Sequence, residues 1–154
     1  PDIMEQPPRP VNEPIINRDM VWGTAVQTVA IAGVTLAAFL LGLSQYPGNL
    51  AAAQTMAFVT LSTSELFRAY TARSERYPLV RVGFFTNKWM QWAVLASFLV
   101  LLSTVYMPFL NTVIFGNVPL RLLDWMTLTP LILIPSLAAE ASKAIILRRT
   151  RRAA

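Results

Sequence analysis

The chain has 154 residues, with 13 Lys plus Arg against 8 Asp plus Glu, a net charge of +5, 55% apolar residues and only 14% charged ones. Soluble domains carry about 25% charged residues, so this surface is too poor in charge for one, and the same apolar content excludes intrinsic disorder. The sequence contains neither Cys nor His, which removes disulfides, thiolate chemistry, the commonest general base and the commonest zinc ligand.

Residues 1–19 hold prolines at positions 1, 7, 8, 10 and 14 and lack an apolar stretch. The segment reads as an extended Pro-rich cytoplasmic loop, not a signal peptide. Charge then disappears between Asp19 and Glu65, between Lys88 and Arg121, and between Asp124 and Glu140. Uncharged, mostly apolar runs of ~18 or more residues are membrane-helix candidates. The expected fold is all-α and integral to the membrane, with four transmembrane helices forming two helical hairpins. They are placed at about 20–43, 50–70, 89–106 and 122–146, which together make a transmembrane domain over 20–146. The first hairpin turns at Ser44–Asn49, punctuated by Pro47 and Gly48. A longer connection, FLNTVIFGNVPL, precedes the fourth span. Pro130 and Pro135 lie inside that span, and a kink is expected there. Residues 147–154 form a basic cytoplasmic tail.

Lys and Arg orient the spans. Twelve of the 13 cations fall before span one, between spans two and three, or at the end of span four; only Arg121 falls on the other side. Both termini are therefore expected in the cytoplasm, in a multi-pass protein of the plasma membrane. Trp22, Trp89 and Trp92 fall near the cytoplasmic face, and Tyr46, Tyr106 and Trp125 near the opposite one, as amphipathic rings favour. The basic tail Arg148-Arg149-Thr150-Arg151-Arg152 follows an apolar helix directly, so it reads as an anchor on anionic lipid and not as a nucleic-acid site.

Glu65 is the candidate metal ligand. An ionisable group inside a span points by default to function. Arg68 lies one helical turn further on, about 4.5 Å of rise, so an i, i+3 ion pair at the interface is the competing reading. Thr60, Ser62, Thr63 and Ser64 surround Glu65. Their hydroxyls could join a hard-cation site, or could bond their own helix backbone. Glu140 and Lys143 read as a helix-surface ion pair. Gly33 with Ala37, and Ala38 with Gly42, are small-xxx-small pairs that allow close helix approach. Gln27 and Thr28 indicate that span one is not wholly lipid-facing. No catalytic or cofactor-binding motif is present, and a chain that opens on Pro reads as a piece of something longer.

Several segments resemble one family, the P-type cation-transporting ATPases. Pro1 to Pro10 (PDIMEQPPRP), with Asn12 to Ile16, is similar to the PDIMxxPPR loop that follows the sixth membrane helix there. Leu66 to Tyr70 with Arg73 to Arg76 resembles the LFxAFxxRSER end of the eighth helix. Phe85 to Trp89 resembles the FxNxW start of the ninth, and Asp124, Trp125, Pro135, Glu140 and Lys143 fit the DW…P…E…K pattern of the tenth. The resemblance covers essentially the whole chain. It implies membrane helices seven to ten of a pump that transports cations, with calcium favoured. In the calcium pumps of sarcoplasmic-reticulum type the eighth helix lends one glutamate to a cation site, and the matching position is Glu65. The implied partners are the lipid bilayer and the remaining helices and cytoplasmic domains of the same pump. ATP and Mg²⁺ would be bound only by those other domains, so the chain alone would not be an active enzyme. The alternative expectation is a complete small four-helix membrane protein, a transporter subunit or an assembly partner.

Overall fold

The computed structural model describes residues 18–74, 79 and 83–153, with side chains at 20–74, 79 and 83–145. The Pro-rich loop and its PDIM motif, Glu75, Arg76 and the side chains of the basic tail lie outside the described residues.

Four long helices follow one another: α1 (Arg18–Gln45), α2 (Leu50–Thr71), α3 (Lys88–Tyr106) and α4 (Leu122–Ala153). No strand occurs among the described residues. Side-chain caps set three of the helix starts. The Asn49 side chain accepts from the Ala52 backbone N–H at 3.1 Å, and that of Asn87 accepts from Met90 at 3.1 Å. Asp124 in the first turn of α4 reaches back to the Arg121 backbone N–H at 2.6 Å, the reciprocal half of a capping box. Gly48 closes the α1–α2 turn at φ +83°, which a residue with a Cβ would resist.

Two local features differ from the sequence expectation. The connection before α4 contains a π-helical turn at Leu110–Phe115, ended by Gly116 at φ +66°. The fourth helix also continues past the apolar span, which ends at Ile145, through the basic tail to Ala153. Arg and Ala are strong helix formers, so a basic composition is no reason for the helix to end. Helical assignment continues through both Pro130 and Pro135.

Three helical segments, Met20–Gln45, Lys88–Tyr106 and Leu122–Ile145, are long and apolar enough to cross a membrane. α2 falls outside that set because of its hydroxyl side chains, Gln54, Glu65 and Arg68. One face of it is packed against protein, with Thr55, Thr60, Thr63, Ser64 and Thr71 all buried, while Gln54, Glu65 and Arg68 are exposed. The core joins Ala38 of α1, Met56 and Val59 of α2, Val105 of α3, and Leu128 and Ile132 of α4. Small residues let the α1 and α2 backbones meet: Ala38, Ala52 and Ala53 are fully buried, and a Cβ added at Gly42 would lie 2.5 Å from the Ala53 Cα. Only the second of the two small-residue pairs is used in this way, since a Cβ at Gly33 would meet nothing within 4 Å.

Candidate functional site

Glu65 projects from the last third of α2 into an open cleft of about 770 Å³ between α1 and α2. Thr24, Gln27, Thr28 and Thr35 of α1 line the facing wall. The carboxylate is 42% exposed and accepts from Arg68 Nε at 2.7 Å, so the expected i, i+3 ion pair is formed. A half-exposed pair of this kind contributes little to stability and is easily exchanged for another partner.

The hydroxyls expected around Glu65 are mostly committed elsewhere. Thr60 donates to the Met56 carbonyl at 2.8 Å, and Ser64 reaches the Ile132 carbonyl of α4 at 3.4 Å. Thr63 Oγ1 is buried without a hydrogen-bond partner. Of the four, Ser62 lies one turn before Glu65 and shares its face. The same cleft is lined on its α1 side by Gln27 and Thr28, which were legible as polar positions, by Thr24 and Thr35, which were not singled out, and by the apolar Ile31, Leu36 and Phe39. Thr35 Oγ1 is itself buried and without a partner. Among the described residues no three His, Cys, Asp or Glu gather into a metal-binding group. Calcium takes six to eight oxygens, more than the two that the Glu65 carboxylate offers.

Opposite ends of the helix bundle are tied by polar clusters. At the α1–α2 turn, the Tyr46 hydroxyl donates to both carboxylate oxygens of Asp124, at 2.9 and 2.8 Å. Asp124 is only 4% exposed. The Arg121 guanidinium lies over the Tyr46 ring at 5.7 Å. Burial, and then the hydrogen bond and charge of Asp124, push the Tyr46 phenol upward, with Arg121 acting against them. Beside this cluster, Trp125 Nε1 donates to the Tyr106 hydroxyl at 2.7 Å, and Tyr106 donates to the Leu120 carbonyl at 2.9 Å. Of the three rings expected at one depth, Tyr106 and Trp125 are hydrogen-bonded to each other, and Tyr46 is bonded to Asp124, the neighbour of Trp125.

At the other end, Glu140 and Lys143 of α4 do not form the surface pair expected from spacing. Their side chains are 24% and 8% exposed, and the ammonium lies 2.9 Å from Glu140 Oε1. Lys143 also donates to the Thr71 carbonyl at the end of α2, and Glu140 Oε2 accepts from the Leu79 backbone N–H at 2.8 Å. Nearby, Tyr70 donates to Gln91 Oε1 at 2.7 Å, and Arg73 donates to the Gly83 carbonyl at 2.8 Å. Partners that are backbone atoms leave no mark in a residue pattern, which is why spacing alone read this pair as a local one.

Comparison with known proteins agrees with the resemblance read from the motifs. The family model described as the C-terminus of cation-transporting ATPases matches residues 1–145. A calcium-transporting ATPase of Bacillus subtilis is 33% identical over 141 residues, covering 92% of this chain and 16% of that protein. The calcium-transporting ATPase type 2C member 2 of Rattus norvegicus is 32% identical over 130 residues, covering 84% of this chain and 14% of that protein. A calcium-transporting ATPase 1 of Lactococcus lactis is 29% identical over 148 residues, covering 94% and 16% respectively. The chain thus spans about a sixth of the length of the curated relatives it matches.

Proposed function

From the membership of this chain in the cation-transporting P-type ATPases, as their C-terminal domain, we propose that it forms the last four membrane helices of a calcium pump and lends it one carboxylate, that of Glu65. In this reading α2 also spans the membrane, as the second of four. Its 22 residues rise about 33 Å, enough for a hydrocarbon core of about 30 Å. Five of its hydroxyl side chains, Thr55, Thr60, Thr63, Ser64 and Thr71, are buried against protein, the usual disposition of polar groups at membrane depth. The 20–146 region scaffolds the transport helices, residues 1–19 and the tail lie in the cytoplasm, and ATP and Mg²⁺ are handled by other domains of the pump.

The observation that carries the proposal is a carboxylate held half-open in a cleft whose facing wall includes Gln27 and Thr28 among apolar side chains. Arg68 compensates the charge of Glu65 when no cation is present. A calcium ion, with two charges and a demand for oxygen ligands, competes with that single guanidinium for the carboxylate. The amide of Glu65→Gln keeps shape and one oxygen but removes the charge. In the full-length pump it should weaken apparent calcium affinity by on the order of 2 kcal/mol, using the penalty for a lost charged hydrogen bond. Phosphoenzyme formation against calcium concentration measures this, with Arg68→Gln alongside. If Glu65 serves only the ion pair, both variants will disturb stability alike and leave half-saturation unchanged.

The 12-to-1 division of cations across the spans supports cytoplasmic termini and an external α1–α2 turn in the plasma membrane. Single cysteines introduced by Gly48→Cys and Ala154→Cys, in a pump otherwise stripped of Cys, test the orientation. An impermeant thiol reagent outside intact cells should label the first alone; labelling only at 154 reverses the topology.

A further inference from the structure

We propose that Glu140 and Lys143 are positioning residues: a buried charged latch that clamps the C-terminal end of α2 and Leu79 beyond it onto α4, and so holds Glu65 in place. The inference rests on the reading of Glu65 as a cation ligand and assigns a role to two residues outside that site.

Lys143 is 7% exposed, and a buried ammonium is costly unless it is paired and hydrogen-bonded. It is both. Glu140 supplies the counter-charge, and the Thr71 carbonyl supplies a second acceptor. That carbonyl is one of the last of α2, which have no partner within the helix and carry the negative end of its dipole. A cation delivered there from α4 therefore ties the two helices at the point where α2 attracts it most. The second Glu140 oxygen takes the backbone N–H of Leu79, a residue 7% exposed that lies eight positions beyond the end of α2. One ion pair thus fixes three stretches of chain.

The link to Glu65 is short. Thr71 lies six residues further along the same unbroken helix, a rise of about 9 Å. Between them, the Arg68 carbonyl accepts from the Ala72 N–H at 2.8 Å and from Thr71 Oγ1 at 3.1 Å. Arg68, the side-chain partner of Glu65, therefore belongs by its backbone to the turn that the latch holds. Releasing Thr71 frees the same turn to shift or fray, and the cleft wall that carries Glu65 and Arg68 moves with it.

The test uses the full-length pump and calcium-dependent phosphoenzyme formation. Lys143→Met should raise the calcium half-saturation roughly three- to tenfold, with the maximal phosphoenzyme level per folded pump kept. Lys143→Arg, which still donates to Thr71 and Glu140, should restore it to within about twofold. Combined with Glu65→Gln, Lys143→Met should add nothing, because the latch acts through the residue already removed. A Lys143→Met pump that only loses stability or maximal level, with half-saturation unchanged, overturns the proposal. So does a double variant in which the two shifts multiply. If Lys143→Met fails to accumulate, Glu140→Gln gives the same comparison with a smaller shift. A silent Glu65→Gln instead defeats the ligand reading, and the latch is then judged by hydrogen exchange at the Leu79 amide. Glu140→Leu should speed that exchange roughly tenfold or more, and an unchanged rate refutes the latch.

Discussion

Replacing Asp124 with alanine should destabilise the helix bundle by about 3–4 kcal/mol, counting several hydrogen bonds to one buried carboxylate with incomplete additivity. The carboxylate is 4% exposed and takes the Tyr46 hydroxyl on both oxygens and the Arg121 N–H on one. Its loss leaves Tyr46 without an acceptor, uncaps α4 and separates the end of α1 from the start of α4. Tyr46→Phe removes only the hydroxyl and should cost about 1–2 kcal/mol. Surfactant or thermal unfolding of the detergent-solubilised chain gives both values. An Asp124→Ala midpoint indistinguishable from the parent would show that the cluster holds nothing together. The pH dependence has a definite sign. Folding raises the Tyr46 phenol, so its contribution is complete below the ordinary phenol range and is lost as pH climbs through the raised value. The Tyr46 tie should therefore weaken only on the alkaline side, and Tyr46→Phe should abolish that loss.

A comparable effect is expected at the α1–α2 crossing. A Cβ at Gly42 would sit 2.5 Å from the Ala53 Cα and 3.0 Å from its Cβ. The first of these obstacles is backbone, so relief requires the helices to part. Gly42→Val should destabilise by about 3 kcal/mol, the upper end for forcing extra atoms into a packed interface. Gly33→Ala provides the control: it meets open space within the same helix and should be neutral or gain up to about 1 kcal/mol from helix propensity. Unfolding midpoints of the two variants measured side by side decide the matter. Equal midpoints would mean that α1 and α2 do not cross at Gly42.

The helical class was legible because three long gaps in charge are visible in the residues themselves. So was Glu65, since a lone carboxylate after a 45-residue uncharged stretch announces itself. What remained hidden depends on rotation and on distance. Whether Thr24 and Thr35 line the cleft that holds Glu65 is decided by how α1 is turned against α2, and the residue pattern of α1 does not report that angle. The small-residue pairs at Gly33 and Gly42 look alike in sequence, yet the crossing falls on one of them. Tyr46 and Asp124 are 78 residues apart, and the partners of Lys143 and Glu140 include a carbonyl and an amide that every residue possesses. The π-helical turn was equally silent, because Leu110–Phe115 contains neither Gly nor Pro to mark it.

α4 is fastened at two places, by Asp124 and Trp125 near its start and by Glu140 and Lys143 some sixteen residues further along. Pro130 and Pro135 fall between those fastenings. Each proline leaves a carbonyl four residues earlier, on Met126 and Leu131, without its usual N–H partner. Mechanically this is a beam with built-in ends and a compliant midspan: it resists sliding along its axis, but it can bow. A push from the rest of a pump would therefore be absorbed as curvature around 126–135, where the Ser64 hydroxyl touches the Ile132 carbonyl, while the two anchorages stay where they are.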